Sequence, residues 1–193
     1  MKIGVFGGSF DPVHVGHLIV AECAADSLEL DSVLFIPARV QPFKVGLHSA
    51  DASHRVAMLR LAIAGNSKFS LDEREIAREG PSYTSETLRE LCSENPADEL
   101  FLLVGADAAL DLPLWHDAEM LAQYARIAVL TRPGFEVPDS RMISESVEVP
   151  AIAVSASLVR QLASAGRSLR YLLPAPVLEY IETNGLYGLA KKC

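Results

Sequence analysis

The sequence predicts an α/β protein: an open, mainly parallel sheet of about five strands flanked by helices. Three observations carry this. Short apolar, β-branched runs recur along the chain as KIGVF, SVLFIP, LFLLVG and RIAVLT. Stretches with the apolar spacing of helices lie between them. The interval between the first two runs fits a right-handed βαβ crossover, the connection that parallel strands require.

The first element comes from Lys2–Leu18, KIGVFGGSFDPVHVGHL. Ile3, Val5 and Phe6 read as a short buried strand. Gly7-Gly8-Ser9 follows as a turn in which missing Cβ atoms let a phosphate or sugar approach the backbone. Asp11-Pro12 stops any further strand. From His14 the spacing becomes helical, with Leu18, Ala21, Ala25 and Leu28 on one face. Strand, glycine turn and helix together aim backbone N–H groups and a positive dipole end at an anion. His14-Val15-Gly16-His17 sets two imidazoles on the same side of the first turn, with Gly16 leaving that face open. An imidazole suits a phosphate oxygen, because it donates a hydrogen bond when neutral and can gain charge near pH 7. The competing readings are ordinary surface histidines or a metal pair, for which Glu22 is the one further ligand within the helix. Joined to GGSFDP behind a strand, the histidines point to function, since these residues have little packing reason to occur together.

The elements that follow are read in the same way. Ser32–Pro37 is a second buried strand. Residues 38–50 carry Pro42, Lys44 and Gly46 with little periodicity. They form a loop at a strand's carboxyl end, where doubly wound sheets place ligands. Asp51 caps a helix through Ala64 that turns Val56, Leu59, Ala62 and Ile63 inward, and Gly65-Asn66 ends it. Phe69–Leu71 is a short strand. Ser82 and Thr84 are capping residues at the head of a helix through Leu88 and Leu91, which is either a plain surface helix or an anion site. Leu100–Gly105 is the central strand and runs into Gly105-Ala106-Asp107, where an acid commonly meets a ribose hydroxyl. Trp115, the only tryptophan, is either core or a ligand platform. Ala118–Tyr124 is a helix, Arg126–Thr131 a buried strand, and Arg132-Pro133-Gly134 a turn. Residues 135–146 read as an irregular surface excursion. Val147–Val154 contains a last strand, and Pro150 suits an edge or a bend there. Ser157 caps a helix with Leu158, Leu162 and Ala165 inward and Gly166 as its close. Arg160 falls in its first turn, where a cation opposes the macrodipole unless an anion sits nearby. Tyr171–Tyr187 gives a Pro-started amphipathic helix stopped by Gly185, with a packing role.

Composition narrows the function. At 193 residues, half of them apolar, one compact domain over 1–193 is the natural expectation. The net charge of −8 argues against a nucleic acid polymer and leaves room for a small phosphorylated substrate. Cys23, Cys92 and Cys193 are scattered, which suggests neither a zinc site nor a disulfide framework. No apolar run approaches a membrane span and no signal peptide precedes the first strand, so the expectation is a cytoplasmic protein. A homo-oligomer is left open.

Several segments, taken in order, resemble one family. GGSFDPVHVGHL resembles the motif GGSFDPxHxGHL, EIAREGPSYTSETL resembles ExxRxGxSYTxxTL, VSASLVR resembles ISSTxIR, and YLLPAPVLEYIETNGLY matches the family's ending. The chain is therefore similar to the HxGH nucleotidyltransferases, and more narrowly to the bacterial nicotinate-nucleotide adenylyltransferases. The resemblance implies a Rossmann-like nucleotidyltransferase fold. It also implies the reaction ATP + nicotinate mononucleotide → deamido-NAD + pyrophosphate, with Mg²⁺ bound to ATP and no metal ligands on the protein. It implies catalytic roles for His14, His17, Lys44 and Arg160. Gly7, Gly8, Ser9, Phe10, Gly105, Asp107, Ser155 and Ser157 would bind ATP. Ser82, Tyr83, Thr84, Trp115 and His116 would bind the acceptor, with Trp115 stacked on the pyridine ring. Two residues depart from the pattern: Phe43 stands where the family has histidine beside Lys44, and Ala156 where it usually has serine. Two alternatives keep the fold: an HxGH adenylyl- or cytidylyltransferase with another acceptor, or a non-catalytic paralogue that binds nucleotide and regulates. The SYTxxTL segment disfavours the first, and the retained histidines, Lys44 and Arg160 disfavour the second.

Overall fold

The computed structural model describes residues 1–40, 50–134 and 140–189. Its strands are β1 (Lys2–Gly8), β2 (Ser32–Pro37), β3 (Phe69–Leu71), β4 (Glu99–Gly105), β5 (Arg126–Thr131) and β6 (Ile143–Glu148). They form one six-stranded sheet in the order β3-β2-β1-β4-β5-β6, and every neighbouring pair is parallel. This is the α/β architecture that the apolar runs predict. The helices are α1 (Val15–Ser27), α2 (Ala52–Ile63), α3 (Arg74–Ala77), α4 (Thr84–Glu94), α5 (Ala106–Ala109), α6 (Ala118–Tyr124), α7 (Ala156–Ser164) and α8 (Ala175–Asn184). None is long and apolar enough to cross a membrane.

Alternation along the central strands divides the core in two. Phe101 and Leu103 of β4, with Ala128 and Leu130 of β5, face the layer of α1, α2, α7 and α8. Leu100, Leu102 and Val104, with Ile127 and Val129, face α4, α5 and α6. A strand covered on both faces must be apolar at every position, which is why these runs show no polar alternation. Helices α7 and α8 each stop at a glycine in the left-handed region, Gly166 (φ 65) and Gly185 (φ 64).

The structure corrects three local readings. The last strand is Ile143–Glu148 and ends before Pro150, so the irregular excursion read over 135–146 already contains its first residues. β6 pairs only with β5, and Val147 is its one buried residue, so its sequence carries almost no core signal. Asp51 sits at the N-cap of α2, but its side chain makes no capping bond. Ser155, not Ser157, caps α7, accepting the Leu158 N–H at 3.1 Å. Arg160 therefore lies in the second turn, past the first-turn position expected for it.

Four phenylalanines knit the β1–β2 region together. The Phe35 ring packs against Phe6 (5.5 Å between centroids), Phe10 (5.8 Å) and Phe69 (5.1 Å) and is fully buried. Phe35→Ala should lower the unfolding free energy by about 3–5 kcal/mol. In urea titrations this should appear as a lower midpoint with an unchanged slope.

Candidate active site

The strand order reverses between β1 and β4, so the connections leaving these strands diverge and leave a crevice at their carboxyl ends. A cavity of about 370 Å³ opens there. Val5, Gly7 and Gly8 of β1, Ile36 and Ala38 at the end of β2, and Leu102 and Leu103 of β4 form part of its wall. Ser82, Tyr83, Thr84, Trp115 and His116 complete it, so five of the expected acceptor residues and two of the expected ATP residues meet around one space. Gly7 and Gly8 close β1 as strand residues, where the sequence suggested a turn. A Cβ on Gly7 would meet nothing within 4 Å, so the open space there is real. The Phe10 side chain is only 2% exposed and packs edge-on to His17 at 5.1 Å. The residue is thus buried as a whole, and its ring serves the packing around His17.

His14 is the N-cap residue of α1, and His17 stands in its first turn. Their rings stack at 3.7 Å between centroids. Gly16 makes room for this: a Cβ there would lie 3.0 Å from His14 Nδ1 and 3.6 Å from the Val154 carbonyl oxygen. The His14 backbone N–H donates to His17 Nδ1 at 3.2 Å. A neutral His17 therefore carries its proton on Nε2. Both rings are held neutral. Burial pushes His14 down to about 4, and burial with the neighbouring His14 pushes His17 well below its ordinary value. The sequence left both charge states open; the free protein selects the neutral donor.

The start of α7 adjoins this pair, since the Val154 carbonyl borders Gly16. From α7, Arg160 donates to the Asp11 carbonyl oxygen at 2.7 Å and to Ser157 Oγ at 3.3 Å. Ser155 uses its Oγ for the cap, and Ser157 uses its own on Arg160. Gly105 and Asp107 lie at the carboxyl end of β4. The Asp107 carboxylate is well exposed, 3.8 Å from Arg132. Lys44 and Phe43 lie outside the described residues.

On the other side of the cavity, Tyr83 and His116 stack at 4.1 Å. Ser82 is not a cap; its Oγ accepts the Arg39 N–H at 3.0 Å. Sequence reasoning gave no role to Glu75 or Arg55. Glu75 is buried at the cavity wall and accepts a hydrogen bond from Thr87 Oγ1 at 2.7 Å. Burial raises its carboxyl, partly opposed by the Thr87 and Ser82 hydroxyls and by Arg78. Arg55, 1% exposed, donates to the Ser9 carbonyl at 2.7 Å. Its position one turn before Leu59, on the inward face of α2, was the available signal. Among the described residues no group of three or more His, Cys, Asp or Glu converges as a metal cage would.

The buried imidazoles make stability depend on pH. The unfolded chain takes up the His14 proton near 6.5, whereas the folded protein holds it off until about 4. The contribution is therefore fully present above about pH 6.5 and is lost as pH falls through that window. The unfolding free energy should be flat above about pH 7 and then fall on acidification by up to about 1.4 kcal/mol per pH unit for each such histidine. His14→Gln should flatten that slope in denaturant titrations between about pH 6.5 and 5.

Comparison with known proteins agrees with this geometry. The cytidylyltransferase-like family matches residues 5–162. A probable nicotinate-nucleotide adenylyltransferase of Geobacillus thermodenitrificans is 43% identical over 97% of this chain and 86% of its own length. One from Thermus thermophilus is 43% identical over 97% of this chain and all of its own. The solved nicotinic acid mononucleotide adenylyltransferase of Plasmodium falciparum, complexed with NaAD, superposes with a TM-score of 0.80 at 18% identity over 99% of both chains, a likeness of fold. With the strand switch, the paired imidazoles and these end-to-end matches in hand, the chain belongs to the cytidylyltransferase-like family, among the nicotinate-nucleotide adenylyltransferases.

Proposed function

We propose that the crevice beside His14, His17 and Arg160 holds the triphosphate of ATP and that the adjoining cavity holds nicotinate mononucleotide. The enzyme transfers the adenylyl group to give deamido-NAD and pyrophosphate. The observation that carries this reading is the pairing of two neutral imidazole donors at the head of α1 with the start of α7, next to an aromatic-rimmed cavity.

The chemistry asks little of the protein beyond alignment and charge. The acceptor's phosphate monoester has a second pKa near 6, so its attacking oxygen is mostly dianionic at neutral pH and no general base is needed. That oxygen forms a bond to the α-phosphorus. The bond to the bridging oxygen breaks, and its electron pair leaves with pyrophosphate. His17 Nε2–H, the second imidazole and the Arg160 guanidinium stabilise the oxygens on which charge gathers. Lys44 is proposed as a further cation from its loop. Gly7, Gly8, Ser9, Gly105, Asp107 and the start of α7 are proposed to seat the nucleotide. Mg²⁺ would arrive as part of the ATP substrate, held by phosphate oxygens. The free thiols of Cys23 and Cys92 suit the reducing cytoplasm in which we place the reaction.

On the acceptor side, Trp115 is proposed to stack on the pyridine ring. Thr84 opens α4, an eleven-residue helix whose first amides would meet the nicotinate carboxylate. A carboxamide brings no charge to that helix end. Purified protein given ATP should therefore form dinucleotide from nicotinate mononucleotide with kcat/KM at least about tenfold above that for nicotinamide mononucleotide, a difference of about 1.4 kcal/mol. No product from either acceptor would refute the function, and equal use of both would refute the helix-end argument. His17→Ala should lower kcat by at least about a hundredfold, since one preorganised donor contributes about 2.7–4 kcal/mol to the transition state. Circular dichroism should show the variant folded.

A further inference from the structure

Tyr187 stands 176 positions from Asp11, yet its hydroxyl donates to Asp11 Oδ1 at 2.7 Å. It belongs to the short 3-10 turn Leu186–Gly188 that follows α8, with its backbone in the left-handed region (φ 58, ψ 25). A non-glycine residue in that region is uncommon and is held there by its surroundings.

Asp11 is the buried junction this hydroxyl reaches. It is 3% exposed, and the same Oδ1 also accepts the Ala50 N–H at 3.2 Å. Its backbone carbonyl is the anchor for Arg160, and the carbonyl of Ser9, two residues earlier, is held by Arg55. The segment from Ser9 to His14 is thus fixed from α2, α7 and the turn after α8, and it leads directly into the paired imidazoles. Tyr187 itself does not line the cavity.

The hydroxyl is not needed to dock the C-terminal segment. Leu186, Leu189 and the Tyr187 ring already pack against the core. Tyr180 separately ties α8 to α2 through a 2.9 Å hydrogen bond with His54 Nδ1. Burial and the Asp11 charge hold the Tyr187 phenol well above its ordinary range, so it remains a donor at every working pH.

We propose that Tyr187 is a positioning residue for adenylyl transfer, acting through Asp11 to fix the loop that carries His14 and the carbonyl on which Arg160 rests. The proposal rests on the function assigned above for its kinetic readout and on the free protein alone for its spectroscopic one. Tyr187→Phe removes only the oxygen. It should lower kcat about five- to twentyfold, leave KM for ATP and for the acceptor within about threefold, and lower the pH–rate profile without changing its shape. In an Asp11→Ala background, which removes the acceptor oxygen, the same change should cost less than twofold, because the phenol works through that carboxylate. Tyr180→Phe, which deletes a comparable hydroxyl from the same segment, should leave kcat within twofold.

In histidine-selective NMR spectra of the free protein, Tyr187→Phe should shift the ring signals of His14 and His17, whereas Tyr180→Phe should shift that of His54. Asp11→Ala alone should reproduce both the kinetic split and the shifts, which covers the case in which Tyr187→Phe does not fold. Unmoved His14 and His17 signals, kcat within twofold of wild type, or an undiminished loss in the Asp11→Ala background would each overturn the proposal. Wild-type protein that forms no deamido-NAD would count against the assigned function and would leave the NMR comparison to decide this inference.

Discussion

Keeping two imidazoles neutral inside the protein is the constraint on which the rest of this site depends. Burial disfavours the charged form of both rings, and the neighbouring His14 adds to this at His17, so both are held neutral in the free protein. That state needs dry walls, supplied by the cluster of Phe6, Phe10 and Phe35 against which His17 packs. It needs a defined tautomer, set when the His14 backbone N–H occupies His17 Nδ1. It also needs a missing side chain at Gly16, where a methyl group would press on the His14 ring. The tautomer and the missing side chain are both set within the short stretch His14–His17.

The architecture was legible because parallel strands buried on both faces are written as unbroken apolar runs. β2, β4 and β5 could be read almost to the residue, and β1 all but its last two residues, Gly7 and Gly8, which read as a turn. β6 could not, because an edge strand with one buried residue leaves polar positions that look like a loop. The helix caps misled for a related reason. Ser155 and Ser157 are equally good capping residues, and only the path of the backbone decides which one faces the Leu158 amide. In the site, the glycines, histidines and aromatic residues were visible because their types are hard to explain by packing. Glu75 and Arg55 were not, since a charged residue within a helical stretch normally points to solvent. Their meaning appears only when segments distant in sequence close around them.

The two sides of the crevice are built on different physical terms. The imidazole side rests on low polarity and fixed backbone carbonyls. The opposite side is a dense polar lattice. There Arg78 reaches Glu86, Glu90 and Thr87, and Arg74 joins Asp72 to Glu94. Glu75 sits within this lattice, with Thr87 and Ser82 as its hydrogen-bond partners. Such a network fixes geometry more than it adds net stability, because the pairing must first offset the desolvation of its members. It braces the residues around the head of α4, Ser82 and Thr87 among them.

β1 is the earliest strand of the chain, yet it lies at the middle of the sheet. One of its flanks is filled by β2 soon after synthesis, while the other waits for β4, which begins at Glu99. During translation the segment bearing the histidines therefore emerges long before the strand that completes its support. An apolar strand flank stays unsatisfied for that interval, open to pairing with another chain. The position of the histidine-bearing segment at the heart of the sheet thus makes the nascent protein most exposed to misassembly before its central ladder closes. Chaperone shielding would matter in that window and little afterwards.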